Sequence, residues 1–102
     1  MKKGIFNAYV KYVCKGLDVK KSDIFKKTRE EKILNARWIL WLMCYQRPMT
    51  ILQIVDLMSE NGYVTSRQNI ENGISRLTEL NDPDVESFIY NGVELYSHSD
   101  VL

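Results

Sequence analysis

Few side chains in this chain of 102 residues are equipped for chemistry, and most of them point away from catalysis. The single histidine, His98, stands in Ser97-His98-Ser99-Asp100. Those types suit a nucleophile, a base and an orienting acid, but neighbours in a chain tail cannot converge on one reacting atom. Cys14 and Cys44 lie in apolar patterns without a Cys-x-x-Cys spacing. They read as buried free thiols in a reducing compartment, with a disulfide as the alternative. Metal binding would need clustered Cys and His, and a phosphate loop would need a glycine-rich turn; neither pattern is present. The expectation is a protein that is not an enzyme and carries no cofactor or metal. What remains is a polar run, Ser66, Arg67, Gln68 and Asn69, followed by Glu71, Asn72, Ser75 and Arg76. Arginine pairs bidentately with guanine, and Gln or Asn with adenine, so the run is fit for a DNA major groove. The same residue types are also common on a solvated helix face.

Charge is distributed unevenly. Residues 1–48 hold 12 Lys/Arg against 4 Asp/Glu, a net +8, whereas residues 49–102 hold 2 against 9, a net −7; the whole chain is +1. A basic half can lie against a phosphate backbone, and an acidic half cannot. Lys20, Lys21, Lys26, Lys27, Arg29, Lys32 and Arg37 form the basic cluster.

These residues must be positioned by helices. Phe6, Tyr9, Val10 and Val13 recur at i, i+3, i+4 and i+7, predicting a helix over 5–15 that Gly16 stops. Ser22-Asp23-Ile24-Phe25 predicts a short turn with a serine cap. Thr28 with Glu31 forms a capping box ahead of a helix that is apolar nearly all round from Ile33 to Tyr45. Such a helix is buried on several sides, so Trp38 and Trp41 are core residues first and nucleobase-stacking rings second. A second box, Thr50 to Gln53, with Met49 and Ile54 as a hydrophobic staple, opens the next helix; its buried stripe is Ile51, Ile54, Val55 and Met58, and Asn61-Gly62 ends it. A third box, Thr65 to Gln68, opens a helix burying Ile70, Ile74 and Leu77. After the loop Asn81-Asp82-Pro83-Asp84, the run from Val85 to Tyr96 contains Asn91-Gly92, a strong hairpin signal. The expected pairing sets Tyr90 opposite Val93 and Phe88 opposite Leu95, all on one face, and residues 98–102 are expected to fray.

Helix, capped helix, glycine-bearing break, capped helix and hairpin resembles a winged helix-turn-helix. That resemblance implies a mainly α domain of three to five helices with a C-terminal β-hairpin as the wing and the helix near 65–79 as the recognition helix. Residues 1–27 would be a helical extension, 28–80 the helical core and 85–97 the hairpin of a single domain. A second resemblance begins upstream. Leu17-Asp18-Val19-x-x-x-Asp23-Ile24-Phe25-x-Lys27-x-Arg29, then Ala36-Arg37 and an apolar helix, is similar to the C-terminal DNA-binding domain of DnaA-type replication initiators. It implies that Arg29, on a basic loop, enters a minor groove and that Arg37 lies against the DNA. The family's Asp-His-Thr-Thr signature is replaced here by Ser66-Arg67-Gln68-Asn69, and its ATPase domain has no counterpart.

The expected function is binding of double-stranded DNA, regulatory or accessory in transcription or replication. Its contacts would be Lys26, Lys27, Arg29, Lys32 and Arg37 on the backbone, and Ser66, Arg67, Gln68, Asn69 and Asn72 on base edges. The alternative is a protein-interaction module, a homodimer or a hetero-partner, docking through Glu71, Glu79, Glu86, Tyr90, Glu94 and Tyr96. The longest apolar run, Trp38 to Tyr45, is far short of the ~20 residues that span a bilayer. With no apolar stretch behind Lys2 and Lys3, a cytoplasmic protein is expected.

Overall fold

The computed structural model describes residues 2–96, which form α1 (Lys2–Leu17), α2 (Lys21–Ile24), α3 (Glu31–Gln46), α4 (Ile51–Glu60), α5 (Arg67–Leu80) and α6 (Pro83–Leu95). His98 and the expected frayed end lie outside the described residues.

Helix α3 is the axle. It packs against all five other helices, and Ile33, Ala36, Ile39, Leu40, Trp41, Met43 and Cys44 are buried around its circumference. Burial on this scale is the main stabilising term of the domain, about 2 kcal/mol for each fully buried large aliphatic chain. The α1 stripe of Phe6, Tyr9, Val10 and Val13 is wholly inside, so this helix belongs to the same core as α3. Gly16 does not stop it. The helix closes at Asp18, in the left-handed region at φ 55, and the Val19 N–H returns to the Cys14 carbonyl at 3.1 Å. Among the described residues no helix is long and apolar enough to cross a membrane.

Three helix starts depart from their expected caps. Thr28 Oγ1 accepts from the Glu30 N–H at 3.2 Å, so it shapes the loop, and Glu30 at the N-cap of α3 makes no side-chain cap. Lys20, not a serine, precedes α2. At α5 the adjacent hydroxyls exchange roles: Ser66 caps the Asn69 N–H, while Thr65 Oγ1 accepts from the Asn69 side chain at 2.8 Å. The Thr50–Gln53 box forms in both directions. Between α4 and α5, Gly62 sits at φ 89, its N–H bonded to the Ser59 carbonyl, and the Tyr63 N–H reaches Met58 at 3.0 Å. This Schellman turn drives Tyr63 into the core beside Trp41.

The C-terminal hairpin, and with it the wing, is not there. Residues 83–95 are helix α6, and no strand occurs among the described residues. Two features outweigh Asn91-Gly92. Asp82 Oδ1 accepts from the Asp84 and Val85 N–H groups, with Pro83 at the first helical positions, a favourable start. Val85, Phe88, Ile89, Gly92, Val93 and Tyr96 then make one helical stripe. The expected single face of Phe88, Tyr90, Val93 and Leu95 is split accordingly, with Tyr90 and Leu95 turned outward. Gly92 is buried because α6 crosses close over α1 and α3; a Cβ there would stand 2.4 Å from the Tyr12 ring.

Candidate nucleic-acid interface

Residues 25–30 link α2 to α3, and their shape is fixed from below by Arg37. Its Nε donates to the Ile24 carbonyl at 2.9 Å and its Nη2 to the Lys26 carbonyl at 2.7 Å. The Ile24 carbonyl ends α2, and the Lys26 carbonyl, in the loop beyond, also accepts from the Thr28 N–H at 2.9 Å. Arg37 is only 1% exposed. Its guanidinium carbon lies 4.5 Å from the centre of the Tyr63 ring. Burial draws its pKa below the ordinary arginine value, and Tyr63 opposes that shift. Lys27 approaches the same ring at 4.3 Å and donates to the Val64 carbonyl at 2.6 Å. Tyr63 thus holds two cations and ties the basic loop to the turn between α4 and α5.

The opposite wall is α5. Gly73 lets this helix close on α3, since a Cβ at that position would come within 2.5 Å of Trp38 and 2.9 Å of Trp41. Asn69, Asn72 and Arg76, at i, i+3 and i+7, follow the same side of the helix. Between the walls lies a cleft of about 520 Å³. Lys27, Thr28 and Arg29 edge it on the loop side, Asn69, Asn72 and Arg76 on the α5 side, and Arg37, Trp38, Trp41 and Tyr63 form its floor. Four cations line it and no carboxylate does. Arg29 and Arg76 make no hydrogen bond or ion pair with the described residues.

Of the residues expected to contact DNA, the fold gathers Lys27, Arg29, Arg37, Asn69 and Asn72 in this cleft. Arg37 is a strut beneath it. Lys26 is exposed outside the cleft, and Lys32 edges a separate groove with Leu17 and Ile39. Ser66 is spent on the α5 cap. Arg67 pairs with Glu71 at 3.8 Å, and Gln68 Nε2 donates to Asn72 Oδ1 at 3.0 Å on the exposed start of α5. Arg76 and Tyr63 were not among the expected site residues. The i, i+3, i+7 spacing from Asn69 was the signal for Arg76; none existed for Tyr63, whose place depends on the Gly62 turn.

The acidic set is dispersed. Glu79 edges a shallow pocket beside Trp38, Arg76 and Leu80. Glu86 and Tyr90 lie on the outer side of α6, whereas Tyr96 is half-buried against Tyr9 at 5.9 Å. Glu94 is exposed. No group of His, Cys, Asp and Glu among the described residues could hold a metal ion. Cys14 and Cys44 are unpaired, and burial raises both thiols, Cys44 far more.

Set beside known proteins, the chain matches no family, no curated protein and no solved structure.

Proposed function

We propose that this chain is a non-enzymatic protein that binds double-stranded DNA, with one sugar–phosphate strand seated in the cleft between the basic loop and α5. The observation that carries this reading is the cleft's composition: Lys27, Arg29, Arg37 and Arg76 without a carboxylate. A buried guanidinium without a counter-ion is held at an electrostatic cost, and an anion entering the cleft offsets it. A phosphodiester fits that requirement and repeats along a convex strand. Asn69 and Asn72 are then placed for sugar or base edges, and the first turn of α5, with Arg67 and Gln68, projects toward the adjoining groove. The order of α4, glycine turn and α5 is that of a helix-turn-helix, and a regulatory or accessory role in transcription or replication follows from the same reading. The wing has no part in it.

The test is fluorescence anisotropy of a mixed-sequence duplex over a salt series, with wild type beside Arg29→Ala/Arg76→Ala. Both side chains are free of structural bonds among the described residues, so the variant keeps its fold. Two lost phosphate contacts should lower the slope of log K against log salt by about 2 and weaken binding at least about tenfold. Absence of binding even at low salt would sink the proposal.

A further inference from the structure

Separately from the cleft, α6 leaves an apolar groove of about 320 Å³ against α3 and α5. Leu42, Leu77, Val85 and Ile89 line it, Tyr90 stands at its edge, and Asp82 and Glu86 rim it. No Lys or Arg lines it, and it shares no residue with the cationic cleft. Beyond Val85 a second groove, about 310 Å³, continues the surface, sharing Leu77, Asp82 and Val85 and reaching Leu17, Ile39 and Leu80; Lys32 also lines it, so the purely acidic rim belongs to the first groove. Tyr90 and Leu80 are 65% and 64% exposed, too much for side chains serving this core alone.

We propose that this surface docks a cationic amphipathic helix of another protein, with its apolar side chains in the two grooves and its Lys or Arg residues on Asp82 and Glu86. A trough between packed helices accepts a further helix through i, i+3, i+4 anchors. The acidic rim selects the sign of the partner and steers its approach. Phosphate-bearing partners are repelled by the same rim. A second copy does not supply the complement: the exposed lysines of α1 and α2 have no large exposed apolar side chain among residues 2–44 beside them. The proposal stands apart from DNA binding, because the two surfaces have no residue in common.

The experiment uses the ¹⁵N-labelled full chain and a synthetic peptide of Leu and Lys arranged in two helical faces over roughly four turns. A Leu/Glu peptide of the same pattern is the control. The expected result is saturable shifts confined to the surroundings of Leu77, Val85, Ile89 and Tyr90, with the Leu/Glu peptide bound at least about tenfold more weakly. Glu86→Lys and Tyr90→Ser should each weaken the peptide several-fold while helix content and duplex binding stay unchanged. Equal binding of both peptides, shifts centred on the cleft, or indifference to both substitutions would overturn the proposal. So would concentration-dependent dimerisation through these same residues in sedimentation, which would make a second copy the occupant.

Discussion

The cationic cleft and the α6 groove are built alike and charged oppositely. Each is bordered by a helix that makes a close approach at a glycine: Gly73 of α5 against Trp38 and Trp41 at the cleft, Gly92 of α6 against Tyr12 and Met43. Gly16 helps the second approach, since a Cβ there would meet the Phe88 ring at 2.3 Å. Each also has aromatic lining, Trp38, Trp41 and Tyr63 in the floor of the cleft and Tyr90 at the edge of the groove. The difference lies in what surrounds the apolar contact. At the cleft a buried Arg37 and the half-shielded Lys27 are bonded to carbonyls and stacked on Tyr63. At the groove the charges are carboxylates kept at the rim. A chain whose net charge is only +1 therefore presents two surfaces suited to partners of opposite sign. Apolar pattern fixes where the helices lie, and the uneven order of charges along the chain sets the sign of each surface.

Arg37→Met breaks the comparison on the cleft side and should have the largest effect. It removes both guanidinium bonds, leaves the Ile24 carbonyl open and leaves the Lys26 carbonyl only the Thr28 N–H. The expected loss is about 3 kcal/mol, or a fall in melting temperature on the order of 15 °C. Calorimetry measures it; a change under about 3 °C would show that the loop is held by other contacts. Duplex binding should weaken as well, since Arg29 then loses a fixed position relative to Arg76.

The two glycines sharpen the contrast. Gly73→Ala gains helix propensity but drives a methyl group into two indole rings, so a net loss of about 1–2 kcal/mol is expected in urea unfolding. Gly92→Ala meets the Tyr12 ring and the Met43 methyl group, at 2.6 Å. The methionine end can yield, so the net loss should be smaller, about 1 kcal/mol. If Gly92→Ala proved the more damaging of the two, α6 rather than α5 would be the tighter contact.

How much of this was open to sequence reasoning depended on whether a residue's role was local. The α1 stripe, the all-round burial of α3 and the Thr50–Gln53 box are local patterns, and all appear in the fold. The α5 cap slipped by one residue because Thr65 and Ser66 are both competent and only the backbone decides between them. The hairpin reading gives weight to Asn91-Gly92 over the Asp82-Pro83 start, although positions 85, 88, 89, 92, 93 and 96 are spaced i, i+3, i+4, i+7, i+8 and i+11, the stripe of a helix. The cap and the stripe were both local signals for α6; what no local rule contains is the stacking of Phe88 on Tyr12 of α1 that seats the helix. At the cleft, Lys27, Arg29, Asn69 and Asn72 could be found by charge and helix spacing. Arg37's burial could not, because its partners are carbonyls of a four-residue helix more than ten positions away.

The smallest expected effect is the share of the alkaline pH dependence that Tyr12 carries on the α6 side. Burial raises the pKa of Tyr9 and of Tyr12 above the ordinary 10.0, and the Tyr12 hydroxyl donates to the Phe88 carbonyl at 2.6 Å. A group that holds its proton more tightly when folded stabilises the fold fully below its unfolded pKa, and that contribution disappears as pH rises through the folded value. Stability should thus hold up to about pH 8 and then decline, because the unfolded chain releases protons first, from the thiols of Cys14 and Cys44 and then, at about pH 10, from the tyrosines. Removing the hydroxyl in Tyr12→Phe should cost about 1 kcal/mol near neutral pH and flatten the alkaline decline in part, leaving Tyr9 and the buried thiols of Cys14 and Cys44 as its remaining sources. Urea midpoints at about pH 8 and about pH 10.5 for both proteins measure the two slopes. Parallel slopes would mean that Tyr12 ionises as freely in the folded protein as in the unfolded chain. The bond to Phe88 would then contribute nothing to the seating of α6.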